Sequence, residues 1–183
     1  VYETFLLMVQ LSLEGYGGEI SIKNIENLLN VLDTNKLSVY SLNDLGDCYE
    51  RIGKAKDAIK YWKRLIIELD DTSSEFDIEY INKAKEKIGL TFYFGSGDVT
   101  EDKEKAFKIF METDTAISHY YLGTMYELGF NKHSSNLSLA IQEYEKSAEL
   151  GNVKAHCKLG ECLLKKSKSK KTNVLKDKNK RQV

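Results

Sequence analysis

Apolar residues recur every three or four positions along most of the chain, which is the spacing of amphipathic helices. Leu42, Leu45 and Tyr49 share one helical face, and Trp62 and Leu65 share another after a short break. The sequence contains no proline, so no residue of that kind interrupts a helix. Glycines and N-cap residues divide the pattern into segments. The predicted helices lie near residues 2–14, 21–32, 37–52, 55–70, 76–94, 102–113, 115–128, 136–150 and 152–166.

Glycine and alanine recur along the chain at a fixed interval. Gly89 recurs as Gly123, and Ala106 recurs as Ala140 at the same distance. The interval from the glycine to its alanine is also the same in both copies. A period of this size, about 34 residues, is typical of stacked helix pairs, each of which buries its apolar stripe against the next. The spacing therefore predicts an all-α repeat architecture.

An earlier unit has the same opening and a shorter connection between its two helices. Here Ala58 follows Gly46 more closely than Ala106 follows Gly89. Two helix backbones approach closely only where side chains are small, so we interpret each glycine as facing the alanine of its own helix pair. Residues 1–35 look like a degenerate copy of the longer form.

These motifs resemble two related families of helical repeats. Residues 42–65 are similar to the tetratricopeptide repeat, although Leu42 replaces the usual tryptophan and Asp70 replaces the usual proline. Residues 84–164 are similar to the Sel-like repeat, which has a longer glycine-bearing loop within each pair, and the segment 144–152 matches its second helix well. The resemblance implies an all-α, right-handed α-solenoid of antiparallel helix pairs.

The repeats suggest a division of the chain into consecutive units. We expect a degenerate N-terminal repeat at 1–35, a tetratricopeptide-like repeat at 37–70, Sel-like repeats at 76–114 and 115–151, a terminal capping helix at 152–166 and a basic disordered tail at 167–183.

Composition is that of a folded, soluble chain, because 42% of the residues are apolar and 30% are charged. The net charge of −1 hides an asymmetry. Residues 165–183 hold eight lysines and Arg181 against Asp177, a balance of +8, which leaves −9 for residues 1–164. Nucleic acid or an anionic surface could therefore bind only through the 165–183 tail, whereas the acidic body gives no reason to expect either ligand.

Candidate chemistry is sparse along the chain. Cys157 and Cys162 would point about 140° apart on one helix, which disfavours a shared metal. The loop at 95–98 lacks the third glycine of a dinucleotide fingerprint and the ending of a phosphate loop. His119 and His133 have no evident partner that would make either one a general base. We predict no catalytic residue, no metal and no cofactor, and hence no enzyme.

The resemblance to tetratricopeptide units implies a concave groove lined by the first helix of each pair. The groove-facing positions would be Tyr40, Asn43, Asp47, Glu50, Lys83, Glu86, Leu90, Tyr93, Ile117, Tyr120, Thr124 and Glu127. Several of these side chains could instead pack between repeats, and the sequence leaves both interpretations open. Their mixture of aromatic, aliphatic and acidic types predicts a basic-apolar peptide or helix of a partner protein as the ligand.

The leading hypothesis for function is a non-catalytic scaffold or adaptor that binds another protein. Two alternatives remain open: a regulatory or activating subunit of an enzyme complex, and a Sel-like repeat enzyme of the penicillin-binding type. The second is disfavoured, because such proteins carry a regular cysteine pair in each repeat and this chain has three cysteines in all.

Three unpatterned cysteines favour a reducing, cytoplasmic location, while a secretory or endoplasmic-reticulum location stays open. The longest apolar stretch, near residues 5–13, is too short for a transmembrane segment. The chain begins with Val1, so we expect it to be a piece of a longer protein or a processed product.

Overall fold

The computed structural model describes residues 2–15, 22–71 and 74–180. Throughout these residues the regular structure is helical, apart from two isolated antiparallel bridges inside loops, Ser96 with Val99 and Phe130 with His133. The all-α prediction is therefore confirmed. The helices are α1 (Tyr2–Leu13), α2 (Ile22–Asn30), α3 (Ser41–Arg51), α4 (Ala55–Glu68), α5 (Glu75–Phe94), α6 (Lys103–Met111), α7 (Ala116–Leu128), α8 (Leu137–Glu149) and α9 (Val153–Lys180), with a short 3₁₀ turn at Thr34–Lys36.

The chain forms two compact units, residues 1–109 (unit 1) and 110–183 (unit 2). In unit 1, α3 packs against α4, α4 against α5, and α1 against α3. Its core contains Trp62, Leu42, Leu45 and Leu65, all fully buried. In unit 2, α8 packs against both α7 and α9, around the buried Tyr144. Burying each such side chain stabilises a unit by about 1.5–3 kcal/mol.

At two of the repeat glycines, Gly46 and Gly123, the nearest neighbour is an aromatic ring of the second helix rather than the predicted alanine. A Cβ atom on Gly46 would lie 2.3 Å from Nε1 of Trp62, and one on Gly123 would lie 2.7 Å from Cδ1 of Tyr144. The indole of Trp62 also donates a hydrogen bond to the carbonyl oxygen of Asn43 at 3.3 Å. Glycine is needed in the first helix so that a flat ring from the second helix can lie directly on its backbone.

The loop after α5 also depends on glycine for a close approach. Gly97 has a positive φ of 53°, and a Cβ atom there would lie 2.2 Å from the carbonyl oxygen of Gly53 in the α3–α4 turn. The next residue, Asp98, accepts a hydrogen bond from the backbone N–H of Lys56 at 2.9 Å, in the first turn of α4. The glycine-rich loop is therefore a packing and capping element of unit 1.

Helix ends mostly follow local sequence signals. Asn136 accepts hydrogen bonds from Ser138 and Leu139 at the start of α8, and Asn152 does the same for Lys154 and Ala155 at the start of α9. Two ends differ from prediction. The 3₁₀ turn delays α3 to Ser41, and α9 extends to Lys180, where a capping helix ending at 166 and a disordered tail were expected.

The extension of α9 has a simple cause, since residues 166–180 contain no proline or glycine to stop a helix and are rich in lysine. The other predicted unit boundaries remain predictions. The proposed degenerate repeat at 1–35 includes residues 1 and 16–21, which lie outside the described residues, and so do residues 181–183 of the tail.

Candidate functional site

Two of the predicted groove residues, Asn43 and Asp47, form hydrogen bonds with a lysine of unit 1. Lys87 of α5 donates from Nζ to the two carboxylate oxygens of Asp47 on α3, at 2.6 and 2.8 Å. The same ammonium donates to Oδ1 of Asn43 at 2.8 Å and lies 5.6 Å from the ring centroid of Trp62. The negative charge expected at Asp47 is therefore matched by a lysine from the neighbouring helix.

Glu50 is half-buried beside this group. Burial, followed by the charge of Asp47, raises the pKa of Glu50, and the opposing charges of Lys87 and Arg51 do not cancel the shift. A carboxyl group with a raised pKa ionises less readily, so Glu50 attracts a basic ligand more weakly.

Tyr40 belongs to a partly exposed aromatic cluster, which we define as Tyr40, Phe76 and Tyr80. The ring centroids are 5.4 Å apart for Tyr40 and Phe76, 5.1 Å for Tyr40 and Tyr80, and 5.0 Å for Phe76 and Tyr80. The Tyr40 hydroxyl donates to Oδ1 of Asp77 at 2.9 Å. Phe76 is 55% exposed and Tyr40 is 38% exposed, so this cluster presents apolar surface to solvent.

The groove positions predicted on α5 differ in how exposed their side chains are and in what those side chains contact. They are Lys83, Glu86, Leu90 and Tyr93. Lys83 is exposed and pairs with Glu79, with 2.7 Å between Nζ and Oε1. Glu86 and Leu90 are half-buried. The Nζ of Lys103 lies 3.5 Å from the ring centroid of Tyr93 and donates to the Tyr93 carbonyl oxygen. Within this set, Lys83 is the exposed side chain beside the aromatic cluster.

The groove positions predicted in unit 2 all lie on α7; they are Ile117, Tyr120, Thr124 and Glu127. Ile117 is 39% exposed, whereas the Tyr120 ring packs 5.8 Å from that of Tyr144. Glu127 accepts hydrogen bonds from Lys165 at 2.5 Å and from the Tyr144 hydroxyl at 2.9 Å, and the hydroxyl oxygens of Tyr144 and Thr124 lie 3.2 Å apart. Burial opposes ionisation of Glu127, but these hydrogen bonds outweigh burial and lower its pKa.

The two units use lysine in the same way. Lys87 and Lys158 each lie two residues before a repeat glycine. Lys87 reaches Asp47, and the Nζ of Lys158 lies 3.8 Å from Oε2 of Glu127, so each lysine meets an acid on the first helix of the preceding pair. At these sites the predicted groove acids hold consecutive first helices together.

Sequence reasoning missed the partners of His119. Its Nδ1 lies 2.6 Å from Oε2 of Glu143 on α8, and its Nε2 lies 2.9 Å from Oδ1 of Asp114. The hydrogen bond to Glu143 raises the pKa of His119 despite the opposing effect of burial, and Asp114 adds to the increase. Glu143 in turn pairs with Lys146 at 3.2 Å. Glu143 lies on a later helix and outside any motif, so no sequence signal marks the pair.

Within residues 2–15, 22–71 and 74–180, no three histidine, cysteine, aspartate or glutamate side chains come together in a way that could hold a metal ion. Of the two helical thiols considered for a metal, Cys157 is exposed and Cys162 is buried, so they face different surroundings. Among the described helices, none is both long enough and apolar enough to cross a membrane.

No family model and no curated protein matches the chain. Among solved structures, a Sel1 repeat protein from Oxalobacter formigenes is similar, with a TM-score of 0.57 and 21% identity over 88% of this chain and 63% of that one. The chain has the fold of a Sel1-like repeat protein. A protective antigen of uropathogenic Escherichia coli strains, which displays an SLR fold, gives a TM-score of 0.45 and 18% identity over 88% of this chain and 41% of the antigen.

The Sel-like resemblance drawn from the sequence is thus confirmed at the level of the fold. The chain spans less than two thirds of the length of either solved structure. The twelve groove positions are not tested by this likeness and remain predictions.

Proposed function

We propose that this Sel1-like chain is a non-catalytic protein-interaction scaffold that binds a basic-apolar segment of a partner protein at the aromatic cluster. The observation that carries the proposal is the aromatic cluster, in which the rings of Tyr40 and Phe76 are exposed, at a predicted groove position next to acidic residues of α5. Exposed aromatic side chains are the usual anchors of protein interfaces.

Charge supports a basic ligand at this place. Glu75, Asp77 and Glu79 lie beside Phe76 and Tyr80 in the first turns of α5, and residues 65–82 contain six acidic residues and no lysine or arginine. A lysine or arginine of the partner could lie against a ring face while its charge meets one of these carboxylates.

Two of the predicted groove acids already form hydrogen bonds within the chain. Asp47 and Glu127 already bond to lysines of the same chain, so a ligand at either position would have to displace an internal hydrogen bond. Reversing the charge of these two residues would therefore disturb folding as well as binding. Among the groove positions predicted in unit 1, Tyr40 belongs to the aromatic cluster and Lys83 lies beside it. A cytoplasmic location stays a prediction.

The test is a selection from a library of random displayed peptides of about twelve residues on the purified chain. We expect one enriched class to combine lysine or arginine with apolar residues. Its members, measured by fluorescence anisotropy, should bind the double variant Glu75→Lys, Phe76→Ala about tenfold more weakly than the wild type. Both residues are exposed, so the variant should keep its helical circular dichroism.

The matched control is Glu145→Lys, Leu150→Ala on α8 and its C-cap, which also changes one exposed acid and one exposed apolar residue. Leu150 is 53% exposed, close to the value for Phe76. Peptides of this class should bind the control as they bind the wild type. The proposal fails if no basic-apolar class is enriched, or if both variants weaken binding equally.

A further inference from the structure

The outward side of α4 carries a row of lysines, which we call the α4 basic face and define as Lys56, Lys60 and Lys63 with the adjoining Ile59 and Ile67. The lysines are spaced by four and three residues, so they lie on one side of the helix and span about 10 Å. All three are exposed, and Ile67 is 74% exposed. This face is a positive, partly apolar strip on a body whose net charge is −9.

These three lysines differ from others in unit 1, such as Lys54, Lys83 and Lys87, which are paired with carboxylates. Within the described part of the chain, the ammonium groups of Lys56, Lys60 and Lys63 have no carboxylate partner. The neighbouring Arg64 is different, because it bonds to Glu68 at 2.6 Å and to the carbonyl oxygen of Thr34 at 3.2 Å.

The α4 basic face borders two adjoining hollows, both within unit 1. A hollow of about 410 Å³ lies between α4, the end of α5 and the start of α6, with Ile59, Phe92 and Val99 as its apolar lining and Lys56 and Lys105 among its polar residues. A groove of about 520 Å³ continues from Lys56 and Ile59 along α4 to Ile67. The first hollow lies within the size range of pockets that take a side chain or a small ligand.

The acidic residues at the first hollow are already occupied. Asp98 accepts from the backbone N–H of Lys56, and Asp102 accepts from the backbone N–H of Lys105 at 3.0 Å and from its Nζ at 2.9 Å. Both carboxylates therefore act as caps, of α4 and α6.

We propose that the α4 basic face binds an acidic segment of a partner protein, with an apolar side chain of that segment in the hollow over Ile59, Phe92 and Val99. Glutamate or aspartate side chains at helical spacing would meet Lys56, Lys60 and Lys63 in turn. The apolar lining and the exposed Ile67 favour a protein segment over a phosphate backbone, which would leave both surfaces uncovered.

This inference goes beyond the proposed function, because it concerns a different helix and a ligand of opposite charge. The aromatic cluster involves α5 and the residue before α3, whereas the basic face belongs to α4. A chain with both surfaces could hold a basic segment of one protein and an acidic segment of another.

The test uses the same peptide selection with a different set of variants. We expect a second enriched class, rich in aspartate and glutamate and containing leucine, isoleucine, valine or phenylalanine. These peptides should bind the triple variant Lys56→Glu, Lys60→Glu, Lys63→Glu at least about tenfold more weakly than the wild type. They should also bind the single variant Ile67→Ser more weakly, by about threefold.

The matched control is Lys23→Glu, Lys132→Glu, Lys154→Glu, which makes the same change in net charge at exposed lysines elsewhere. Acidic peptides should bind this control and the Glu75→Lys, Phe76→Ala variant as they bind the wild type. Failure of this inference can therefore be distinguished from failure of the proposed function. The inference is overturned if no acidic class is enriched, if the control loses binding equally, or if phosphatidylserine vesicles displace the peptides from the three lysines and bind more tightly.

Discussion

The three cysteine thiols of the chain differ in burial. Cys48 and Cys162 are fully buried, and Cys157 is exposed. Burial, followed by the charge of Asp47, raises the pKa of Cys48 to about 12, and burial also raises the pKa of Cys162. Because the thiolate is the reactive form, these two side chains are poor nucleophiles in the folded protein.

We therefore expect dithiobis(nitrobenzoate) to react quickly with one thiol of the folded chain, that of Cys157, and with all three thiols in denaturant. The absorbance of the released thionitrobenzoate measures this directly. In a Cys157→Ser variant the fast reaction should disappear. A second fast thiol in that variant would contradict the burial of Cys48 and Cys162.

His119 joins α7 to α8 through Glu143 and is only 9% exposed. Lys146 also contacts Glu143, and Asp114 contacts the other ring nitrogen. Because folding raises the pKa of His119, the imidazolium contributes stability that is fully present below its unfolded pKa of about 6.5 and is lost as pH rises through the folded pKa.

We expect the free energy of unfolding of the wild type to fall as pH rises above about 6.5, by about 1.4 kcal/mol for each unit by which folding raises this pKa. The His119→Gln variant should lack this component. Urea unfolding at several pH values provides the measurement, and the difference between the two proteins isolates the histidine. His156→Gln, at an exposed position on α9, should retain the wild-type profile. Parallel profiles for wild type and His119→Gln would rule out the charged pair.

At the scale of the helix pair, contact between glycine and an aromatic ring sets how closely two helices approach. The atoms nearest to a Cβ on Gly46 all belong to the indole of Trp62, which is fully buried and cannot move aside. Gly160, at the matching position on α9, has no atom within 4 Å of such a Cβ.

We expect Gly46→Ala to destabilise unit 1 by about 1–3 kcal/mol, since overpacking outweighs the higher helix propensity of alanine. Gly160→Ala should instead stabilise α9 by about 0.5–1 kcal/mol, because only propensity changes there. Thermal unfolding followed by circular dichroism compares the two. A neutral Gly46→Ala would mean that Trp62 does not lie against the α3 backbone.

At the scale of the whole molecule, charge is distributed unevenly along the sequence, with −9 in residues 1–164 and +8 in residues 165–183. A cluster of lysines attracts polyanions whether or not it recognises a sequence. Seven of the eight lysines and Arg181 follow Lys165, which is bonded to Glu127.

We therefore expect heparin to retain the full chain at low salt and to release a chain that ends at Lys165. Heparin affinity chromatography with a salt gradient measures the difference, which should shrink as salt is raised. The Lys56→Glu, Lys60→Glu, Lys63→Glu variant provides a comparison. Its substitutions should lower heparin retention less than removal of the tail does. Equal retention of the truncated and full chains would assign polyanion binding to another surface.

The sequence determined most of the helices and the pairing of α3 with α4 and of α7 with α8, because these depend on local spacing. The recurrence of apolar residues placed α4 and α8, Asn136 and Asn152 marked helix starts, and the recurring glycines and alanines predicted the Sel-like fold. The same local logic was wrong for the 167–183 tail as far as Lys180, where high lysine content was interpreted as disorder although nothing stops the helix.

Only the tertiary structure decided what each side chain meets. Asp47 bonds to Lys87, Glu127 bonds to Lys165 and His119 bonds to Glu143, and in each pair the partners belong to different helices. A shift of one residue turns a helical side chain by about 100°, so spacing along the chain cannot fix which partner on another helix lies within reach. For this reason the sequence pattern placed Asp47 and Glu127 in a ligand groove, whereas in the fold both carboxylates bond to lysines on other helices of the chain. It also did not reveal that three lysines of α4 meet no carboxylate among the residues that the structure describes.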